Sequence, residues 1–214
     1  MNINEIFLSI QGEGLYSGEK MVFIRTEYCN LRCSWCDTKY SFNEGKEMSI
    51  KEILDSVENL NMGNSVNWIC LTGGEPLLQN DISSLVGRLS ENYNMLLETS
   101  GSLDIKRFLP AYNMVRKDVD FKLPSSGMYR KFNDKNLSYM EKGDYIKFVV
   151  NDLQDFNVAM EEIGKIDKNI QVVIQPVYGT DIKWLANEFI DKAPANVRLM
   201  LQEHKYIYGD IRGV

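Results

Sequence analysis

Tyr28-Cys29-Asn30-Leu31-Arg32-Cys33-Ser34-Trp35-Cys36-Asp37-Thr38 places three cysteines within eight residues, with an aromatic side chain just before the last. Thiolates at this spacing serve one centre and bring no local fourth. An iron-sulfur cluster held by four protein thiolates ordinarily carries electrons, whereas one held by three keeps a position open to a small molecule. Structural zinc would need a second Cys or His pair at finger spacing. The other candidates are Cys70, inside the apolar run 68–71, and the single histidine His204, and neither lies in such a pair. Cys70 reads as a core residue. A disulfide framework belongs to short secreted chains with evenly distributed cysteines, which this is not.

Working outward, residues 21–25, just before the loop, read as a strand, and further β-rich runs fall at 66–71, 94–97, 114–120, 145–150, 170–174 and 197–201. Amphipathic stretches lie between most of them. Ser49-Ile50-Lys51-Glu52 reads as a capping box ahead of Ile53, Leu54 and Val57. Ile82, Leu85, Val86 and Leu89 recur at helical spacing after Asp81. Asp152 and Asp181 stand where they can cap helices carrying Phe156, Met160 and Ile163, and Leu185 and Phe189. Repeated β-α order predicts an α/β fold with a parallel sheet. Seven strands are too few to close an eight-stranded barrel, so the expected form is a partial, open TIM-like barrel forming one domain over residues 1–214. Catalytic groups gather at the carboxyl edge of such sheets. Six polar segments fall there: the cysteine loop, 72–76, 98–101, 121–126, 175–176 and 202–205.

The chain has 214 residues and a formal charge of −6, which excludes the basic surface that phosphate backbones require. Small molecules, or a second copy, are the expected partners. Residues 1–10 lack the basic start and long apolar stretch of a signal peptide, and no apolar run reaches membrane-spanning length. A cytoplasmic location follows, where thiols stay reduced.

Cys29, Cys33, Trp35 and Cys36, together with Gly73-Gly74-Glu75 after a later strand, resemble the two hallmarks of the radical S-adenosylmethionine superfamily. Residues 5–14, Cys36-Asp37-Thr38, 72–76, 98–101 and His204-Lys205-Tyr206 are similar to the 7-carboxy-7-deazaguanine synthase family, and the likeness runs from residue 5 to the C-terminal end. That family contracts a pterin ring: 6-carboxy-5,6,7,8-tetrahydropterin becomes 7-carboxy-7-deazaguanine with loss of ammonia, a lyase step toward queuosine and related deazapurines. The resemblance implies that a reduced [4Fe-4S] cluster splits S-adenosylmethionine into methionine and a 5′-deoxyadenosyl radical, which takes a hydrogen from the substrate. After rearrangement, hydrogen return regenerates S-adenosylmethionine. It also implies a homodimer and an electron donor such as flavodoxin or ferredoxin.

Carried onto this sequence, the resemblance makes Cys29, Cys33 and Cys36 the cluster ligands and puts Thr38 on Mg²⁺ beside the substrate carboxylate. It puts Trp35 by the adenine with the backbone of Cys36 and Asp37 nearby, and Gly74 and Glu75 toward the methionine ammonium. Asp120, Phe121 and Lys122, with Gln175, Pro176, Val177 and Tyr178, would complete the cofactor pocket. For the pterin it implies backbone groups of Ile10, Gln11 and Gly12, the Glu13 carboxylate on the guanidine-like edge, Arg25 on the carboxylate, and Thr72 and His204 as further partners. A tail through residues 208–214 departs from members whose chain end closes over the substrate. Two alternatives stay open at this level: a glycyl-radical-enzyme activase, which shares the cysteine spacing, and a non-catalytic zinc- or cluster-binding module.

Overall fold

The computed structural model describes residues 1–63 and 65–214. Nine strands build one sheet: β1 (Asn2–Ile10), β2 (Lys20–Thr26), β3 (Lys46–Glu47), β4 (Trp68–Gly73), β5 (Asn94–Thr99), β6 (Arg116–Asp120), β7 (Tyr145–Val150), β8 (Gln171–Pro176) and β9 (Val197–Leu199). The helices are α1 (Ile50–Leu60), α2 (Ile82–Leu89), α3 (Ile105–Phe108), α4 (Leu153–Ile163), α5 (Ile182–Lys192) and α6 (Glu203–Tyr208). Strand order is β3-β1-β2-β4-β5-β6-β7-β8-β9, with β3 and β9 as unjoined edges, so the barrel is open as expected.

All seven strands read from the sequence are present, and they are parallel from β2 onward. The sheet as a whole is not parallel, because β1 and β3 add to it antiparallel. β1 escapes sequence reading because it is half-buried along most of its length. It therefore shows neither period-two alternation nor a continuous apolar run. β4 and β8 each run two residues past their expected ends, which draws Thr72, Gly73 and Gln175 into strands.

Alternation along the parallel strands divides two environments. Ile24, Leu71, Leu97, Val119, Phe148 and Ile174 pack outward against helix residues such as Ile53, Leu85 and Phe156. Inside the barrel, Met21, Phe23, Cys70 and Leu96 form a smaller apolar cluster. Above it, the registers Arg25↔Thr72, Glu98↔Asp118, Asp120↔Lys147 and Val149↔Gln175 bring polar side chains to the same interior face.

The helix starts form as their sequences dictate. Ser49 and Glu52 make a reciprocal capping box, Asp152 accepts from the Asp155 N–H at 2.9 Å, and Asp181 from the Lys183 N–H at 3.0 Å. One ion pair, Lys117 with Asp144 at 2.7 Å, is wholly buried between β6 and the approach to β7. Past α6, Arg212 ties the tail to β1: it donates to Asn4 and Glu5 at 2.8 and 3.1 Å and to Glu44 at 2.9 Å, and lies 4.1 Å from the Tyr40 ring centre. No helix among the described residues is long and apolar enough to cross a membrane.

Candidate active site

The loop after β2 is hung from both neighbours before its first cysteine. Tyr28 adopts a left-handed backbone (φ 72°), its N–H donates to the Ser41 carbonyl at 2.9 Å, and its own carbonyl accepts from the Glu75 N–H at 2.7 Å. Cys29, Cys33 and Cys36 follow as free, half-buried thiols on the wall of a cavity of about 490 Å³. Burial pushes the Cys29 and Cys33 thiols up, so thiolates there need a positive centre to face. Among the described residues no three His, Cys, Asp or Glu side chains are gathered closely enough to hold a single metal ion. Three thiols on the lining of one cavity suit a cluster, in which each thiolate meets its own iron.

Trp35 is held on two sides. Its indole N–H donates to the Ser125 hydroxyl oxygen at 3.1 Å, and Ser125 is fixed in turn by the buried Asp155 carboxylate at the start of α4. The Lys122 ammonium lies 5.4 Å from the Trp35 ring centre and donates to Asp120 at 2.9 Å.

Gly74 has no room for a side chain, because a Cβ would strike the Tyr28 carbonyl and come 3.0 Å from the Cys29 Cβ. Here the glycine seats the cysteine loop. Glu75 does not face the cavity, which corrects the expectation for it. Its buried carboxylate accepts from the Thr99 hydroxyl at 2.7 Å, the Ser100 N–H at 2.9 Å and hydroxyl at 2.5 Å, and the Leu77 N–H at 3.2 Å. Phe121 and Pro176 are likewise set back from the wall, Phe121 stacking between Phe132 and Phe148. The remaining site residues read from the sequence line one cavity.

Its far side is polar. Glu13 accepts from Lys147 at 2.8 Å, Gln175 at 2.9 Å and Gln202 at 2.7 Å. Burial alone would raise its carboxyl, but the Lys147 ammonium, with His204 and the amide donors, holds it well below the usual carboxylate range. The Gln175 amide nitrogen thus serves Glu13, while its amide oxygen has no partner among the described residues. Gln11 also turns inward: its side chain donates to Glu98 at 2.7 Å, and its backbone N–H and carbonyl are both taken by Glu19 and Gly18 at 2.8 Å. The Gly12 carbonyl accepts from the Glu203 N–H at 2.8 Å. The Gln11 backbone N–H is therefore spent in the β1–β2 turn, while its carbonyl, with two lone pairs, has one taken by Gly18. Thr72 donates to Glu98 at 2.7 Å. Arg25 gives its Nε to Glu5 at 2.7 Å, and its terminal nitrogens have no protein acceptor among the described residues.

Thr38 lies on the wall with its hydroxyl 3.7 Å from the Cys36 sulfur, while its carbonyl fixes Ser41. Above it the tail closes in. Lys205 bridges Asp37 at 3.2 Å and Asp210 at 2.5 Å, and Asp210 and Val214 both line the cavity. The departing tail thus contributes to the wall of the cavity.

Sequence reading gave no role to Lys147, Asp118, Glu98, Ser125, Asp155, Gln202 or Lys205. For Asp118, Asp120 and Lys147 a signal existed: charged residues at alternate positions of strands that should be apolar if both faces were packed.

Residues 23–135 match the Radical SAM superfamily. The chain is 42% identical to the 7-carboxy-7-deazaguanine synthase of Thermoplasma acidophilum over the full length of both. It is 38% identical to that of Clostridium acetobutylicum, covering 98% of this chain and 97% of the relative. The fold is shared with the crystal structure of QueE from Escherichia coli, with a TM-score of 0.75 and 24% identity over 95% of this chain and 94% of that one.

Proposed function

This chain belongs to the radical S-adenosylmethionine superfamily and, within it, to the 7-carboxy-7-deazaguanine synthases, and we propose how its residues divide the work of that reaction. The enzyme converts 6-carboxy-5,6,7,8-tetrahydropterin to 7-carboxy-7-deazaguanine with loss of ammonia, in the deazapurine route to queuosine. A glycyl-radical-enzyme activase gives way to these full-length relatives. The observation that carries the residue assignment is the shared cavity: three thiols, Thr38, Glu13 and Arg25 all line it.

The cysteines fit a [4Fe-4S] cluster, being unpaired, half-buried and gathered on the lining of one cavity. When bound, the reduced cluster supplies the electron that cleaves S-adenosylmethionine to a 5′-deoxyadenosyl radical. Trp35, with Asp120 and Lys122, forms the surface against which that cofactor lies, and Val177 and Tyr178 extend it. Glu75 acts indirectly, holding Ser100 and Thr99 in place below the cysteine loop. Across the cavity, Glu13 presents an ionised carboxylate to the guanidine-like edge of the pterin, as an acceptor-only group must. Arg25 offers its free fork to the substrate carboxylate, a planar match that donates twice. Thr72 and His204 flank the ring. A single hydroxyl is a poor Mg²⁺ site, because this cation keeps waters and prefers carboxylate oxygens. Thr38 would therefore bind Mg²⁺ only alongside the substrate carboxylate. With substrate held this close, the protein's own contribution is positioning and exclusion of water. We further place the reaction in the cytoplasm, in a single-domain chain that works as a homodimer and takes electrons from a flavodoxin- or ferredoxin-type donor.

One anaerobic incubation with reductant, S-adenosylmethionine, Mg²⁺ and 6-carboxy-5,6,7,8-tetrahydropterin, read by mass spectrometry, tests the activity. The expected result is 7-carboxy-7-deazaguanine with released ammonia. Cofactor cleavage without that product would overturn the substrate.

A further inference from the structure

Beneath the cavity, the interior of the barrel holds a charged network that the reaction as described does not use. Lys147, on the inner face of β7, has 5% of its side chain exposed. Its ammonium reaches Glu13 at 2.8 Å, Asp118 at 2.8 Å and Asp120 at 3.9 Å. Asp118 is braced from below by the Tyr145 hydroxyl at 2.8 Å, and its second oxygen has no partner among the described residues. A buried ammonium costs more to desolvate than an apolar side chain of similar volume, so packing alone does not call for a lysine here. Its direction is informative: it joins a carboxylate deep in the barrel to one on the cavity wall.

We propose that Lys147 is a positioning residue for the pterin, keeping the Glu13 carboxylate ionised and turned to the cavity while Asp118 and Tyr145 fix the ammonium from behind. The inference rests on Glu13 being the acceptor for the guanidine-like edge. That edge carries only N–H donors toward the protein, and a protonated carboxyl would meet it with a hydroxyl hydrogen. Burial favours the protonated form of Glu13. Gln175 and Gln202 orient the carboxylate but bring no full charge, and His204 stands farther from it than any hydrogen-bonded partner. Of the groups around Lys147 itself, Asp118, Asp120, Glu13 and Glu98 are all acidic, so the ammonium is the shared counter-charge.

The test uses intact enzyme with its cluster and compares KM with kcat for 6-carboxy-5,6,7,8-tetrahydropterin across neutral to mildly acidic pH. Lys147→Met should raise KM about tenfold or more, the scale of one lost charge-assisted contact. kcat should fall far less, and KM should climb more steeply as pH drops than it does in the parent enzyme. Because this variant strands Asp118, a second one, Lys147→Met with Asp118→Asn, removes both charges. It should regain thermal stability yet keep the raised KM. In a Glu13→Gln background the lysine substitution should add nothing to KM. The proposal falls if KM returns to the parent value together with stability, if the two substitutions are additive, or if S-adenosylmethionine affinity weakens in step with pterin KM. Absence of product from the parent enzyme would instead remove the functional assignment.

Discussion

Gly12 and His204 are in direct contact across the gap between the first turn and the last helix. A Cβ at Gly12 would sit 2.5 Å from the His204 backbone nitrogen and 2.7 Å from its Cβ, closer still to Nδ1. Gly12→Ala must push α6 outward, and overpacking of this kind costs about 1–3 kcal/mol. Pterin kcat/KM should drop by about tenfold or more while iron and sulfide content stay normal. Unchanged turnover would mean that the contact has no part in shaping the site.

Thr38→Ala should blunt the response of turnover to added Mg²⁺ and leave the visible absorbance of the cluster intact. The hydroxyl touches only the Cys36 sulfur, at 3.7 Å, and its loss removes no cysteine. A titration with Mg²⁺ decides the matter, and an unaltered half-saturation point would take Thr38 out of the metal site.

The four cysteines should separate cleanly. Alanine at Cys29, Cys33 or Cys36 is expected to abolish cluster reconstitution, measured as iron and sulfide per chain. Cys70 is fully buried among Met21, Phe23 and Leu96, and burial pushes its thiol well above the ordinary range. Cys70→Ala should keep the full complement and lose only about 1–2 kcal/mol of stability.

Asp118 makes stability depend on pH. Burial, opposed by Lys147 and aided by Asp120 and Glu98, pushes its carboxyl up to about 7. Unfolded, it ionises near pH ~3.9. Between those values the folded state holds the extra proton, so its contribution is largest below the window and is lost as pH rises through it. Relative to the parent, the melting temperature of Asp118→Asn should therefore be more favourable at about pH 8 than at about pH 5, on the scale of about 2–4 °C per kcal/mol. Glu13 works in the opposite sense: its depressed carboxyl stabilises above the unfolded value, and that part is lost on further acidification. Equal gains at both pH values would contradict the assignment to Asp118.

Lys117→Met should be costly far from the chemistry. It strands the Asp144 carboxylate, which also accepts the Lys117 N–H at 2.9 Å and the Glu141 N–H at 2.7 Å. Breaking one side of a buried pair costs about 3–5 kcal/mol. Denaturant unfolding should show that loss, with the cluster and KM values of the surviving folded protein near normal.

What could be read in advance was whatever a short segment decides for itself. The capping box at Ser49 and Glu52, the strands of the parallel barrel and the cysteine loop all fall in that class. What escaped was decided by register. Asp118 and Lys147 lie 29 residues apart and meet only because β6 and β7 pair with Asp120 opposite Lys147. Glu75 sits in a motif whose resemblance points its carboxylate at a ligand, yet the donors of residues 99–100 claim it first, and no local spacing reveals that competition. The resemblance puts Gln175 on the cofactor, and nothing local reveals that its amide nitrogen also meets Glu13, 162 positions away. β1 escapes because a strand half-buried along most of its length carries little pattern.

The barrel's missing closure is bridged by side chains and one backbone bond: Glu203 N–H to the Gly12 carbonyl at 2.8 Å, and Gln202 to Glu13 at 2.7 Å. That seam imposes an order in time. During synthesis the cysteine loop emerges early and residues 202–204 of the substrate wall emerge late. A nascent or truncated chain can thus present its thiols without a finished chamber around them. The substrate wall is complete only once residues 202–203 have met the turn that carries Gly12 and Glu13.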